Sequence, residues 1–139
     1  MTILNLASPL SSDDLSTISA LCGRKARRVV DLGHSFSETE PLAPQVRALL
    51  DTLGFTSSDW QKQSIVVNLP ADSVASTLIV ADIAGRRGRT PSVIRWKPSG
   101  NRGRMEPFEV ISLHEIRKEA RHQRKGWALL GGQLSNDED

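Results

Sequence analysis

The 139-residue chain has a single cysteine, Cys22, so no disulfide can form within it, and a reducing cytoplasm is the expected setting. No apolar run approaches the roughly 20 residues that a membrane-spanning helix needs, and Met1 leads straight into a strand-like segment without a basic leader. Neither a secretory leader nor a membrane anchor is therefore expected. The three histidines, His34, His114 and His122, lack any Cys or carboxylate cluster at metal-ligand spacing, so no metal or other cofactor is expected. No catalytic motif stands out, and the length fits one domain around one core, with no room for an appended nuclease, helix-turn-helix or protease domain.

What the chain does contain is a segment repeated in form, an apolar strand-like run that ends in a polar cluster and leads into a helix. Ile3-Leu4-Asn5-Leu6 runs into Ala7-Ser8-Pro9-Leu10-Ser11-Ser12, and Ile65-Val66-Val67-Asn68-Leu69 runs into Pro70-Ala71-Asp72-Ser73. In a parallel sheet both clusters would lie at the carboxyl edge, where backbone N–H groups at helix starts hold phosphates and Asn or Ser reads a base or ribose. Charge is unevenly spread along the chain. Residues 1–83 carry six Lys or Arg against nine Asp or Glu, residues 84–135 carry twelve against four, and the last four residues are acidic. A basic second half points to an anionic partner, with a solvated basic face as the competing explanation.

Periodicity predicts alternating strands and helices. A strand over 3–6 precedes a helix capped near Ser12, whose apolar face is Leu15, Ile18, Leu21 and Cys22 and whose end is Gly23. A second strand over 27–32 precedes a helix over 42–53 closed by Gly54. Thr56 to Trp60 reads as a capped turn before a third, central strand over 64–69. Pro70 fits the first turn of a helix reaching about Ala84, broken by Gly85-Arg86-Arg87-Gly88-Arg89. Strands over 92–96 and 108–113 follow, separated by a mobile basic loop over 99–107. A basic helix over 114–125 then carries Trp127, Leu129 and Leu130, which would dock its end, and the tail over 132–139 is expected to be disordered and acidic. The expected fold class is α/β: a single Rossmann-like domain over 1–131, with a mostly parallel sheet of five or more strands and helices on both faces.

The opening Ile3-Leu4-Asn5-Leu6-Ala7-Ser8-Pro9-Leu10 resembles the start of the small type III CRISPR-associated ancillary proteins called the Csx-fifteen family. The 42–53 helix, the Trp60 turn, Val66-Val67-Asn68-Leu69-Pro70, Ala84-Gly85-Arg86 and the Pro91–Arg95 strand extend the resemblance over residues 1–98. It implies a CARF-like module that binds a cyclic oligoadenylate second messenger across a homodimer interface. A two-fold axis suits the cyclic tetra-adenylate in particular. Where the family pattern has Ser-His, this chain has Ala7-Ser8, which weakens any claim to acid or base catalysis.

The expected ligand-binding residues are Asn5, Ser8, Asn68, Pro70, Ser73, Arg86 and Arg89, with His34 the catalytic candidate. Turn and capping roles compete for Asn5 and Ser8, and complementing a helix dipole competes for Arg86, Arg87 and Arg89. The resemblance implies sequestration that lowers free messenger, with a metal-independent ring nuclease as the alternative; the basic stretch from Arg86 to Arg104 and the basic helix offer a third reading, an RNA-binding accessory module. The expected assembly is a homodimer, with higher assembly on ligand binding left open and with no membrane or DNA partner.

Overall fold

The computed structural model describes residues 1–101 and 103–129. Its strands are β1 (Thr2–Asn5), β2 (Arg28–Asp31), β3 (Ile65–Asn68), β4 (Ser92–Pro98) and β5 (Met105–Ser112). Its helices are α1 (Ser12–Cys22), α2 (Leu42–Asp51), α3 (Ser57–Lys62), α4 (Ser73–Arg87) and α5 (Leu113–Leu129). The strands form one sheet in the order β2-β1-β3-β4-β5, parallel except for β5, which runs antiparallel to β4. This is the expected α/β, Rossmann-like arrangement, with five strands and helices on both faces.

Strand alternation divides the core in two. Leu4, Leu6, Ile65 and Val67 face Val46 and Leu50 of α2, Trp60 of α3 and Ile79 and Ile83 of α4. On the other face Ile3, Val66 and Ile94 bury Ile18 of α1. All four residues of β1 and of β3 are buried, because these central strands are covered on both sides. The chain leaves β1 through α1 toward β2, whereas the later crossovers use the opposite face and lead toward β3 and β4. The carboxyl ends of β1 and β3 therefore flank the point where the direction of the crossovers reverses, the usual ligand crevice of open α/β sheets.

Several boundaries differ from the sequence reading, each for a local reason. The N-cap of α1 is Ser11, in a reciprocal capping box with Asp14, and Thr56 and Asp59 form the same box, so the Trp60 turn is a helix, α3. Pro70 is not in the first turn of α4: Asp72 caps that helix through Val74 N and Ala75 N, and the Pro70 carbonyl accepts from Ser76 Oγ. Gly85 does not break α4, which continues to Arg87 and ends at Gly88, where φ of 76° favours glycine. The basic loop is shorter than expected because Met105, Glu106 and Pro107 pair with β4. The helix expected over 114–125 begins at Leu113 and extends to Leu129. The docking expected of Trp127, Leu129 and Leu130, and the tail over 132–139, concern side chains and residues outside those described.

Candidate functional site at the carboxyl edge of the sheet

Asn5, the last residue of β1, lies in register with Asp31 at the end of β2 and Asn68 at the end of β3. Strand alternation sends all three side chains to the face that carries α1, and Trp96 of β4 shares that face. They form a polar relay across four strands. Trp96 Nε1 donates to Asn68 Oδ1 at 2.9 Å, Asn68 Nδ2 donates to Asn5 Oδ1 at 2.9 Å, and Asn5 Nδ2 donates to Asp31 Oδ1 at 2.8 Å. Asn5 also donates to the Ser8 carbonyl at 3.0 Å and accepts from Ala7 N at 3.2 Å. The indole and the Ala7 amide can only donate, so they fix which way each amide points.

Both asparagines are 2% exposed. The hydrogen-bonding capacity of Asn5 is full, with two donors and two acceptor positions engaged; Asn68 keeps one N–H hydrogen and one acceptor position beyond its bonds to Asn5 and Trp96. Asn68 thus has a structural role that its place in the sequence does not disclose, as the bridge between β1 and β4. Asp31 is exposed and uses one carboxylate oxygen on Asn5, leaving the other at the rim.

The rim favours donors over anions. The first turn of α1 carries Asp13 and Asp14, with Asp14 N held by Ser11 Oγ, and Asp72 Oδ1 occupies two N–H groups at the start of α4. At each start some of the N–H groups expected to hold phosphates are thus met by the chain's own side chains, and carboxylates beside them repel a phosphate. Ser8 and Ser73 stand exposed on the two loops, and Pro70 is half-buried between Asn68 and α4. Such a rim suits ligand groups that donate hydrogen bonds.

Positive charge reaches this edge on the β4–β5 hairpin. The last β3–β4 pair is Val67 with Val93, so Arg95 to Pro98 run roughly 13 Å farther at about 3.3 Å per residue. Arg95 and Lys97 lie over the Phe108 ring at 5.7 and 4.9 Å, and each also meets a carboxylate, Glu109 and Glu106 respectively. Phe108 remains 43% exposed, an aromatic surface framed by cations.

The remaining expected residues lie elsewhere. Helix α4 leads from the carboxyl end of β3 back to the amino edge, so Arg86 and Arg89 do not join Asn5 and Asn68. Arg86 is in the last turn of α4, bonded to Asp82 and Asp51 and stacked over Trp60. Burial lowers its pKa, but the bonds to Asp82 and Asp51 outweigh that and hold it above the ordinary arginine value. Arg87 is 8% exposed and donates to the Trp60 and Gln63 carbonyls, while Arg89 donates to that of Gln61, so both cap the end of α3. His34 directs Nδ1 to the Leu32 carbonyl at 2.9 Å and packs on Phe36.

Asp31 and Trp96 belong to the site and were not singled out from the sequence. Asp31 carried a usable signal, an acidic residue closing the second strand, where dinucleotide-binding sheets hold a ribose hydroxyl. Among the described residues no group of three or more His, Cys, Asp or Glu stands close enough to hold a metal, and no helix is long and apolar enough to cross a membrane. Compared with protein-family models, curated proteins and solved structures, the chain matches none.

Proposed function

We propose that this chain captures a cyclic oligoadenylate, most naturally the tetra-adenylate, at the carboxyl edge of its sheet and lowers the free messenger by holding it. The observation that carries the reading is the buried Asn5–Asn68 pair at the topological switch point, braced by Asp31 and Trp96. A brace of this kind presets a crevice floor whose remaining amide hydrogen can donate to a ring nitrogen or hydroxyl oxygen of adenosine and whose carboxylate oxygen can accept from its amino or hydroxyl groups. Arg104, exposed at the turn of the hairpin and without a carboxylate partner among the described residues, takes over the phosphate-facing role first expected of the helix starts. A two-fold dimer gives each half of a two-fold ring the same contacts.

Capture is favoured over linearisation by the state of His34, whose Nδ1 is engaged by its own loop. Sequestration needs only tight binding by a protein in excess of the messenger. The test is to incubate the pure chain with cyclic tetra-adenylate, measure the mass of the complex by light scattering, then denature it and separate the nucleotides. The expected result is one intact ring per two chains. A linear product moves the function to a ring nuclease, and no association at micromolar protein removes the messenger reading. Ser8→Glu and Ser73→Glu, both at exposed positions, should each weaken binding at least tenfold while the thermal midpoint holds.

A further inference from the structure

The opposite edge of the sheet carries a feature that messenger capture does not use. The ends of α1, α3 and α4 converge there, and three concavities of about 450, 590 and 370 Å³ adjoin along it. Lys25 and Arg27 line both the first and the second; Arg24, Lys62 and Ser64 line both the second and the third. Among the described residues no Asp or Glu lines any of the three.

Three cations elsewhere on the molecule are paired, while those of α5, such as Arg117 and Arg121, have no carboxylate partner among the described residues but lie along one helix. Arg86, Arg95 and Lys97 are neutralised by carboxylates. Arg24, Lys25, Arg27, Lys62 and Arg89 are exposed, and among the described residues none has a carboxylate within ion-pair distance. Behind them the buried Arg87 bonds only to carbonyls, so its charge is not cancelled. Burial, and then the charge of Arg89, lowers the Arg87 pKa, a repulsion that an anion in the groove would relieve.

We infer that this amino-edge groove binds the sugar–phosphate backbone of single-stranded nucleic acid, without reading its sequence. Charge spread over three adjoining concavities fits a chain of phosphates better than one phosphorylated metabolite. The concave shape and its apolar residues, Leu15, Ala26, Val29 and Ile65, all half-buried or buried, disfavour a lipid surface, which requires apolar groups that protrude. Among the described residues no Phe, Tyr or Trp lines the three concavities and His114, at the third, is the one ring there, so bases have little to stack on and the backbone is what the groove holds.

The test is fluorescence anisotropy with labelled twelve-nucleotide U and A RNAs and a T-tract DNA, titrated from 50 to 200 mM NaCl. With four or five phosphates neutralised, log K should fall with log salt at a slope of about −3 to −3.5, a loss of roughly 60- to 130-fold over that range. R24E/K62E should weaken binding at least tenfold and flatten the slope by about 1.4, at about 0.7 per phosphate. R117E/R121E on α5, outside the groove, should retain most of the affinity. DNA binding alongside RNA supports the inference, whereas RNA binding without DNA binding overturns it, since a groove that holds phosphates takes both. Absence of RNA binding at 50 mM salt overturns it, as do unchanged affinity in R24E/K62E, a preference above tenfold between the two RNAs, or tighter binding to phosphatidylserine vesicles than to RNA. None of these substitutions touches the carboxyl edge, so the outcome is independent of messenger capture.

Discussion

Replacing Asn68 by alanine tests the polar relay directly, and its cost can be worked out from the bonds lost. The change removes the donor to Asn5 Oδ1 and the acceptor of Trp96 Nε1, both at 2.9 Å. Asn5 Oδ1 keeps the Ala7 amide, but the indole N–H loses its partner at a half-buried position. Two hydrogen bonds at about 1 kcal/mol each, with part of the desolvation of one stranded donor, come to about 2–4 kcal/mol. At about 4 °C per kcal/mol the thermal midpoint falls by roughly 8–16 °C. Urea unfolding followed by circular dichroism should show a lower midpoint with an unchanged slope, since the exposed area barely changes.

Asn68→Asp adds a sign that cavity formation cannot mimic. The introduced carboxyl faces Asn5 Oδ1, near Asp31 in a buried setting, so its folded pKa rises above the unfolded value of about 3.9. Its contribution is then present below that unfolded value and lost as pH rises through the folded pKa, making this variant more stable at pH 5 than at pH 7 relative to the native chain. A loss below about 0.5 kcal/mol in Asn68→Ala, within the range of ordinary surface substitutions, together with no such pH dependence in Asn68→Asp, would refute the relay.

The two glycines at the end of α4 should respond with opposite signs. Gly85 is helical with nothing within 4 Å of an added Cβ, so Gly85→Ala should stabilise by about 0.5–1 kcal/mol, whereas Gly88→Ala, at φ of 76°, should destabilise by about 1 kcal/mol. Thermal melts check both, and a shared sign would place the helix end elsewhere. Asp72→Ala should cost about 1 kcal/mol by freeing Val74 N and Ala75 N, with Asp72→Ser recovering most of it; equal losses in the two variants would deny the cap. Burial raises the Cys22 pKa against smaller opposing effects from the chain's amino terminus and Arg24, so iodoacetamide at pH 8.5 should alkylate it more slowly than a free cysteine peptide, a difference that should vanish in urea. Equal rates in the folded chain would contradict the burial.

Much of the sheet was legible because β1, β2 and β3 are each written as a short apolar run ended by a polar residue. The Ile65-Val66-Val67-Asn68 run reads as a covered strand from its composition, and it lies third of five in the sheet. The end of α4 was not legible, because Gly85 and Gly88 look alike until the backbone shows which of them has a positive φ. Asn5 and Asn68 stood out separately as strand-end polar residues. Their mutual bond did not, since it joins positions 63 residues apart and exists only because β1 lies beside β3. The basic groove was hidden by counting charge along the chain. Residues 24–28 hold four cations inside a half that is acidic on balance, and folding brings them to Lys62 and Arg89.

The bond from Trp96 to Asn68 makes the crevice visible to light. Beyond Val93 the parallel ladder between β3 and β4 stops, and the indole N–H reaches across in place of a main-chain bond. Indole emission depends on that hydrogen bond and on the polarity around the ring. The other tryptophans are Trp60 and Trp127, and a chain with both changed to phenylalanine would carry one emitter at the crevice floor. Anything that takes hold of the Asn68 amide must then change the colour or lifetime of that emission.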